Sequence, residues 1–214
     1  MIAQIPLPLP TSSRLGRADF IVGPGNRAAV TLIDSWPDWT APAAVLYGPS
    51  GSGKSHLAGV WAERAKAAVK HAADLATVAP DVPLVIENVD AAPLTHEAET
   101  VLFALLERGQ KMLLTAHEPP AAWKPNLPDL RSRYDSLLAF PLWAPDDALL
   151  EALAKKLFAD RQLAVPDAVI AQMIRYLERS PGALRDFVAK ADAAALAAKK
   201  PVTTALIRDL LDRD

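Results

Sequence analysis

Residues 48–55 read Gly-Pro-Ser-Gly-Ser-Gly-Lys-Ser. This octet leaves few folds open, because it works only where a strand delivers a glycine-rich turn into the start of a helix. Gly48, Gly53, Lys54 and Ser55 fill every fixed position of the pattern G-x-x-x-x-G-K-[ST]. The glycines, Gly51 included, let the backbone curl so that successive N–H groups point at an anion. Pro49, Ser50 and Ser52 complete the loop. Lys54 supplies a point charge to β- and γ-phosphates, and Ser55 a hydroxyl to Mg²⁺. The flanks agree. Ala44-Val45-Leu46-Tyr47 suits a buried strand, and His56 to Arg64 continues with helical spacing. The phosphates of ADP or ATP would thus sit at a helix N-terminus, with His56 in its first turn.

Composition narrows the class. A chain of 214 residues, 51% of them hydrophobic, holds one generous domain or two small ones around a real core. The net charge of −2 supplies no global drive toward nucleic acid. The lack of cysteine rules out disulfides and thiolate metal sites, and it fits a reducing cytosol. No apolar run approaches the roughly 18 residues of a bilayer span, and the N-terminus lacks the basic-then-apolar order of a signal peptide.

Met1 to Ser12 form a Pro/Leu-rich stretch in which Pro6, Pro8 and Pro10 oppose helix and favour an extended path. From Leu15 to Trp143 short apolar runs alternate with helical stretches. Besides the run before the loop, strand candidates are 82–86, 112–116 and 136–140. Val101, Leu102, Leu105 and Leu106 make a helical stripe between the second and third runs. Such alternation predicts an α/β fold with a parallel sheet. After the Pro-flanked stretch 141–145 the periodicity is helical only, over 146–161, 166–179, 181–199 and 202–211. Pro166, Pro181 and Pro201 stand near the starts of three of these helices, where proline is tolerated.

The second strand run ends Leu84-Val85-Ile86-Glu87-Asn88-Val89-Asp90. A carboxylate at the end of such a strand holds the Mg²⁺ shell in P-loop proteins, which makes Glu87 the metal candidate beside Ser55. The next residue, Asn88, can orient water but cannot accept its proton. The site should therefore hold a nucleotide better than it hydrolyses one. Asp90 is either a substitute base or a surface acid. At the tip of the third run Thr115 and His117 are candidates to sense a γ-phosphate, with a solvated loop histidine as the alternative for His117. Arg131 and Arg133, two apart on a short helix or turn, point in different directions. One can serve its own fold while the other projects outward as an arginine finger for a neighbour's nucleotide. Arg185, after Pro181-Gly182-Ala183-Leu184, could reach back to the phosphates.

Taken together these blocks resemble the AAA+ ATPases of the DnaA clade, over nearly the whole chain from Phe20 onward. Residues 20–27, with Asn26, resemble the block that packs around adenine. Residues 127–133 resemble the finger block, with Arg133 at the finger position, and 181–185 the second-sensor block, with Arg185 as its arginine. The resemblance implies an AAA+ P-loop domain with a five-stranded parallel sheet over 15–143, and a small all-α lid over 144–214.

The stretch Gln4-Ile5-Pro6-Leu7-Pro8-Leu9 resembles a sliding-clamp-binding peptide of the Q-L-x-L-P-L type. Gln4 would orient it, and Ile5, Leu7 and Leu9 would anchor it in an apolar groove. The segment 1–14 is thus expected to be an extended clamp-binding tail. A DnaA-like module with such a tail and no basic recognition helix resembles the Hda family, the regulatory inactivators of DnaA. That resemblance implies binding to the β sliding clamp of DNA polymerase III and an arginine acting on DnaA-bound ATP. It also implies no direct sequence-specific DNA contact, a cytoplasmic, replisome-associated place, and room for a homodimer. The family's pair at the metal strand is usually Asp-Asn, so Asn88 fits while Glu87 departs by one methylene. The other readings are a DnaA-related helicase loader or autonomous ATPase, and a DnaA-binding adaptor without inactivating activity.

Overall fold

Five short parallel strands, ordered β2-β3-β4-β1-β5, carry the apolar runs of the first part of the chain. The computed structural model describes residues 16–77 and 82–212; the proposed tail, Gln4 to Leu9, lies outside them. The strands are β1 (Ala43–Tyr47), β2 (Ala68–His71), β3 (Leu84–Glu87), β4 (Met112–Ala116) and β5 (Leu138–Pro141). Side chains alternate between the faces of a strand, and the two cores divide accordingly. Ala44, Leu46, Val85 and Leu113 pack toward α1 (Arg27–Asp34) and α2 (Lys54–Ala65). Val45, Leu84, Ile86, Met112 and Leu114 pack toward α3 (His96–Glu107) and α4 (Pro128–Asp135). Burial on both faces explains why β1, β3 and β4 read as continuous apolar runs.

β2 is the strand that the apolar runs do not reveal. It lies at the sheet edge, its residues Ala-Val-Lys-His alternate between half-buried and exposed, and it pairs only with β3. One open face and one open edge leave it no need of an apolar run.

The remaining helices, α5 (Asp147–Asp160), α6 (Asp167–Tyr176), α7 (Pro181–Ala198) and α8 (Thr204–Leu211), enclose a third core around Phe158, Met173, Phe187 and Ile207. Their starts are written in the sequence. Asp146, Ser180 and Thr203 accept the N–H groups of Leu149, Ala183 and Leu206, as N-caps do. Two contacts tie this cluster to the segment ahead of α1. Ile21 packs at its edge, and Lys156 Nζ donates to Asp19 Oδ1 at 2.8 Å.

Candidate phosphate-binding site

The octet 48–55 leaves the carboxyl end of β1, which lies between β4 and β5, and opens α2. A parallel sheet presents its ligand crevice at such a position. The loop enters left-handed backbone at Gly51 and Gly53. No side chain caps α2, so its first N–H groups face the loop without a side-chain acceptor. Ser52 Oγ is buried without a hydrogen-bond partner. The buried Lys54 ammonium donates to Gly48 O (2.7 Å) and Pro49 O (2.8 Å). Burial pushes its pKa below the ordinary lysine range, against a smaller opposing pull from Asp90. An uncapped helix start, an orphaned hydroxyl and a desolvated ammonium together suit an anion with several oxygens.

The loop forms part of a cavity of about 960 Å³ whose walls also come from residues 19–21, the stretch after β5 and the start of α7. Ser55 is exposed on its wall, beside His56. The His56 ring stands edge-on to Phe20 at 5.1 Å, with Nε2 3.1 Å from Gly16 O. Asn26 lines the cavity but spends its amide on its own loop: Oδ1 accepts from Gly23 N (2.9 Å) and Nδ2 donates to Ile21 O (3.0 Å). Arg185 comes from α7 to the same cavity, and burial lowers its guanidinium pKa.

Not every candidate meets there. Thr115 is fully buried, and its Oγ1 accepts from Asn88 N at 3.0 Å. It braces the end of β3 and stands outside the cavity lining, which His117 reaches two residues later. Glu87 also stands outside the lining; its carboxylate lies 3.9 Å from His71 Nδ1 on the neighbouring strand. Asn88 lines the cavity with φ of 56°, a left-handed conformation that asparagine tolerates better than most residues. Asp90 serves as a brace, its carboxylate accepting the N–H groups of His117 (2.8 and 2.9 Å) and Glu118 (2.7 Å).

The two arginines of α4 separate as their spacing suggests. Arg131 donates to Trp123 O and Ala121 O, each at 3.0 Å, and so binds the loop ahead of α4. Arg133 is outside the cavity lining, half exposed, and paired with Glu107 at the end of α3.

Two residues that the motifs do not flag also shape the site. Ser180, the N-cap of α7, packs against Gly51. A serine before a proline that opens a helical run is the signal for such a cap. Trp143 lines the cavity from the Pro-flanked stretch after β5.

A five-stranded parallel sheet, a phosphate loop after β1 and a trailing helical cluster define the AAA+ P-loop fold. Solved structures share it. Domain III of the replication initiation protein DnaA from Thermotoga maritima matches with a TM-score of 0.76 and 19% identity, over 92% of this chain and 95% of that one. AMPPCP-bound DnaA from Aquifex aeolicus matches with 0.68 and 18%, over 80% of this chain and 62% of that one. The Holliday junction branch migration motor RuvB from Thermotoga maritima matches with 0.64 and 18%, over 79% and 61%. The chain thus spans less than two thirds of the last two proteins. No protein-family model and no curated protein matches the sequence. At such identities the likeness is one of fold, and what the site does rests on its own residues.

Proposed function

We propose that this chain is a nucleotide-bound regulator of replication initiation, which binds ADP or ATP with Mg²⁺ and acts in trans on ATP held by DnaA. The observation that carries the reading is the division of labour on α4. Arg131 donates to two backbone carbonyls of its own fold, while Arg133, no more exposed, is held among the described residues only by its surface pair with Glu107 and lies away from the chain's own phosphate loop. An arginine so placed can reach a neighbour's nucleotide and not its own. In a dry phosphoryl-transfer site one added positive charge is worth much.

The chain's own nucleotide would rest on the loop N–H groups, Lys54, Ser52 and Arg185. The Mg²⁺ would take the Ser55 hydroxyl, with Glu87 at the end of β3 as the candidate carboxylate for its shell. Asn88 offers no base at the wall of the cavity, which favours a nucleotide kept over one turned over and weighs against an autonomous ATPase. AMPPCP occupies a DnaA of the same fold, which supports the ligand class. The tail Gln4 to Leu9 supplies clamp docking in this reading. It would hold the chain at newly replicated DNA, in the cytoplasm.

The test is hydrolysis of DnaA-bound ATP with clamp loaded on DNA. Addition of this chain should accelerate it, and omission of the clamp should remove most of the acceleration. If DnaA keeps its ATP with every component present, while the chain still binds both DnaA and clamp, the adaptor reading takes over.

A further inference from the structure

Trp143 is 59% exposed, whereas Trp39, Trp61 and Trp123 are 8% exposed or less and Trp36 packs edge-on against Trp39 and Trp61. An indole left open to solvent on a cavity wall is an unusual use of the largest apolar side chain. Its backbone is firmly placed. Leu142 N–H donates to Tyr47 O at 2.7 Å, and Trp143 N–H to Gly25 O at 3.2 Å. Gly25 makes room for the ring: a Cβ there would lie 3.2 Å from Trp143 Cβ and 3.5 Å from Cδ1. One edge of the indole therefore rests on glycine backbone while the side chain borders the cavity.

The same cavity is lined by the apolar side chains of Phe20, Ile21, Pro145, Leu149 and Leu153. Its polar neighbours are engaged. The Asn26 amide is spent on Gly23 and Ile21, and Asp19 is paired with Lys156. The wall thus offers ring surface, and no uncommitted side-chain group among these residues to read the edge of a base.

We propose that Trp143 is the stacking platform for the base of the nucleotide whose phosphates the 48–55 loop holds. This rests on the nucleotide reading above. A base held by its face and not by its edge is recognised with little discrimination, because every base has a π-face. Strong rejection of a wrong base needs buried hydrogen-bonding groups left unpaired. The site should therefore need a base but tolerate its identity.

Calorimetry on the full chain with ADP, GDP and inorganic pyrophosphate tests this, alongside intrinsic fluorescence. The parent should bind ADP and GDP within about tenfold of each other, with fluorescence quenched on binding. Trp143→Ala should weaken ADP by about tenfold or more and leave pyrophosphate unchanged; Trp143→Phe should keep ADP near the parent affinity and lose the quench. Unaltered ADP affinity in Trp143→Ala, or a persistent quench in Trp143→Phe, overturns the assignment while leaving nucleotide binding intact. Rejection of GDP by more than about a hundredfold does the same, since it demands edge contacts. Failure of the parent to bind either nucleotide or pyrophosphate overturns the nucleotide reading as well. If Trp143→Ala does not fold, the ADP-to-GDP ratio of the parent and the quench in Trp143→Phe still decide.

Discussion

Gly51 of the phosphate loop and Ser180 at the start of α7 are packed so closely that a Cβ on Gly51 would stand 2.4 Å from Ser180 Cβ. The loop and the helical cluster therefore meet through a missing side chain, at a φ of 73°. Gly51→Ala has to strain the backbone and displace the α7 start together. Chemical denaturation should show a loss of about 2–4 kcal/mol, from left-handed strain plus overpacking. Gly59→Ala is the control. It lies within α2 with nothing within 4 Å of the added methyl, and should gain about 0.5–1 kcal/mol.

Lys54→Ala removes the one ammonium that the phosphate loop itself directs inward. Calorimetry should show ADP affinity reduced at least about tenfold. Equal affinity in parent and variant would mean that the nucleotide binds elsewhere. The parent's own hydrolysis, followed by phosphate release, should stay below about 1 s⁻¹, because Asn88 cannot serve as base.

The two arginines of α4 should fail in different assays. Arg131→Ala frees two backbone carbonyls and should cost about 2 kcal/mol of stability. Arg133→Ala gives up only a surface pair with Glu107, so its denaturation curve should nearly overlay the parent's. It should nonetheless lose the stimulation of DnaA-bound ATP hydrolysis. The gain is expected to be smaller than the roughly 10³–10⁵ of GTPase fingers, DnaA being a slow switch. The reverse outcome, with Arg131→Ala inactive and fully stable, would reassign the finger.

Gln4, Leu7 and Leu9 replaced together by alanine should abolish capture on immobilised sliding clamp and leave the melting temperature unchanged, since a terminal Pro-rich stretch adds little to a core. Clamp binding retained by the triple variant would move the interaction to another surface.

Asp19 and Lys156 give the junction with α5 a pH dependence whose sign can be worked out. The Lys156 ammonium holds the Asp19 carboxyl below the usual carboxylate range, and Asp19, then Asp160, hold Lys156 above the usual lysine range. The lowered acid contributes stability that is complete above its unfolded pKa and lost as pH falls through the folded one. The raised base contributes below its unfolded pKa and loses it as pH rises through the folded one. The pair therefore acts in full between about pH 4 and 10. Being partly exposed, it is worth only about 0.2–1 kcal/mol. Melting of Lys156→Met against the parent should show a small constant gap over that range, closing under acid. A gap unchanged at about pH 2 would mean that Lys156 stabilises by packing its stem, not by charge.

The sequence alone determined the elements whose physics is local. The octet 48–55 carries its own reason for a strand, a turn and a helix start. β1, β3 and β4 are legible because burial on both faces demands unbroken apolar runs. The starts of α5, α7 and α8 are local as well, since Asp146, Ser180 and Thr203 cap them through bonds made within a few residues, although the signals that mark them in the sequence are periodicity and the prolines near α7 and α8. Tertiary structure decided whatever depends on which surfaces face each other. It added β2, whose place at the sheet edge asks for no apolar signature. It turned Thr115 and Asp90 into braces between the ends of β3 and β4, because the register of two strands far apart in sequence sets where their hydrogen bonds go. It kept Glu87 beside His71, outside the cavity lining. It brought Ser180 against Gly51, Arg185 to the cavity that the loop lines and Trp143 onto Gly25. Such contacts follow from how the helical cluster packs against the sheet, and no spacing along the chain encodes them.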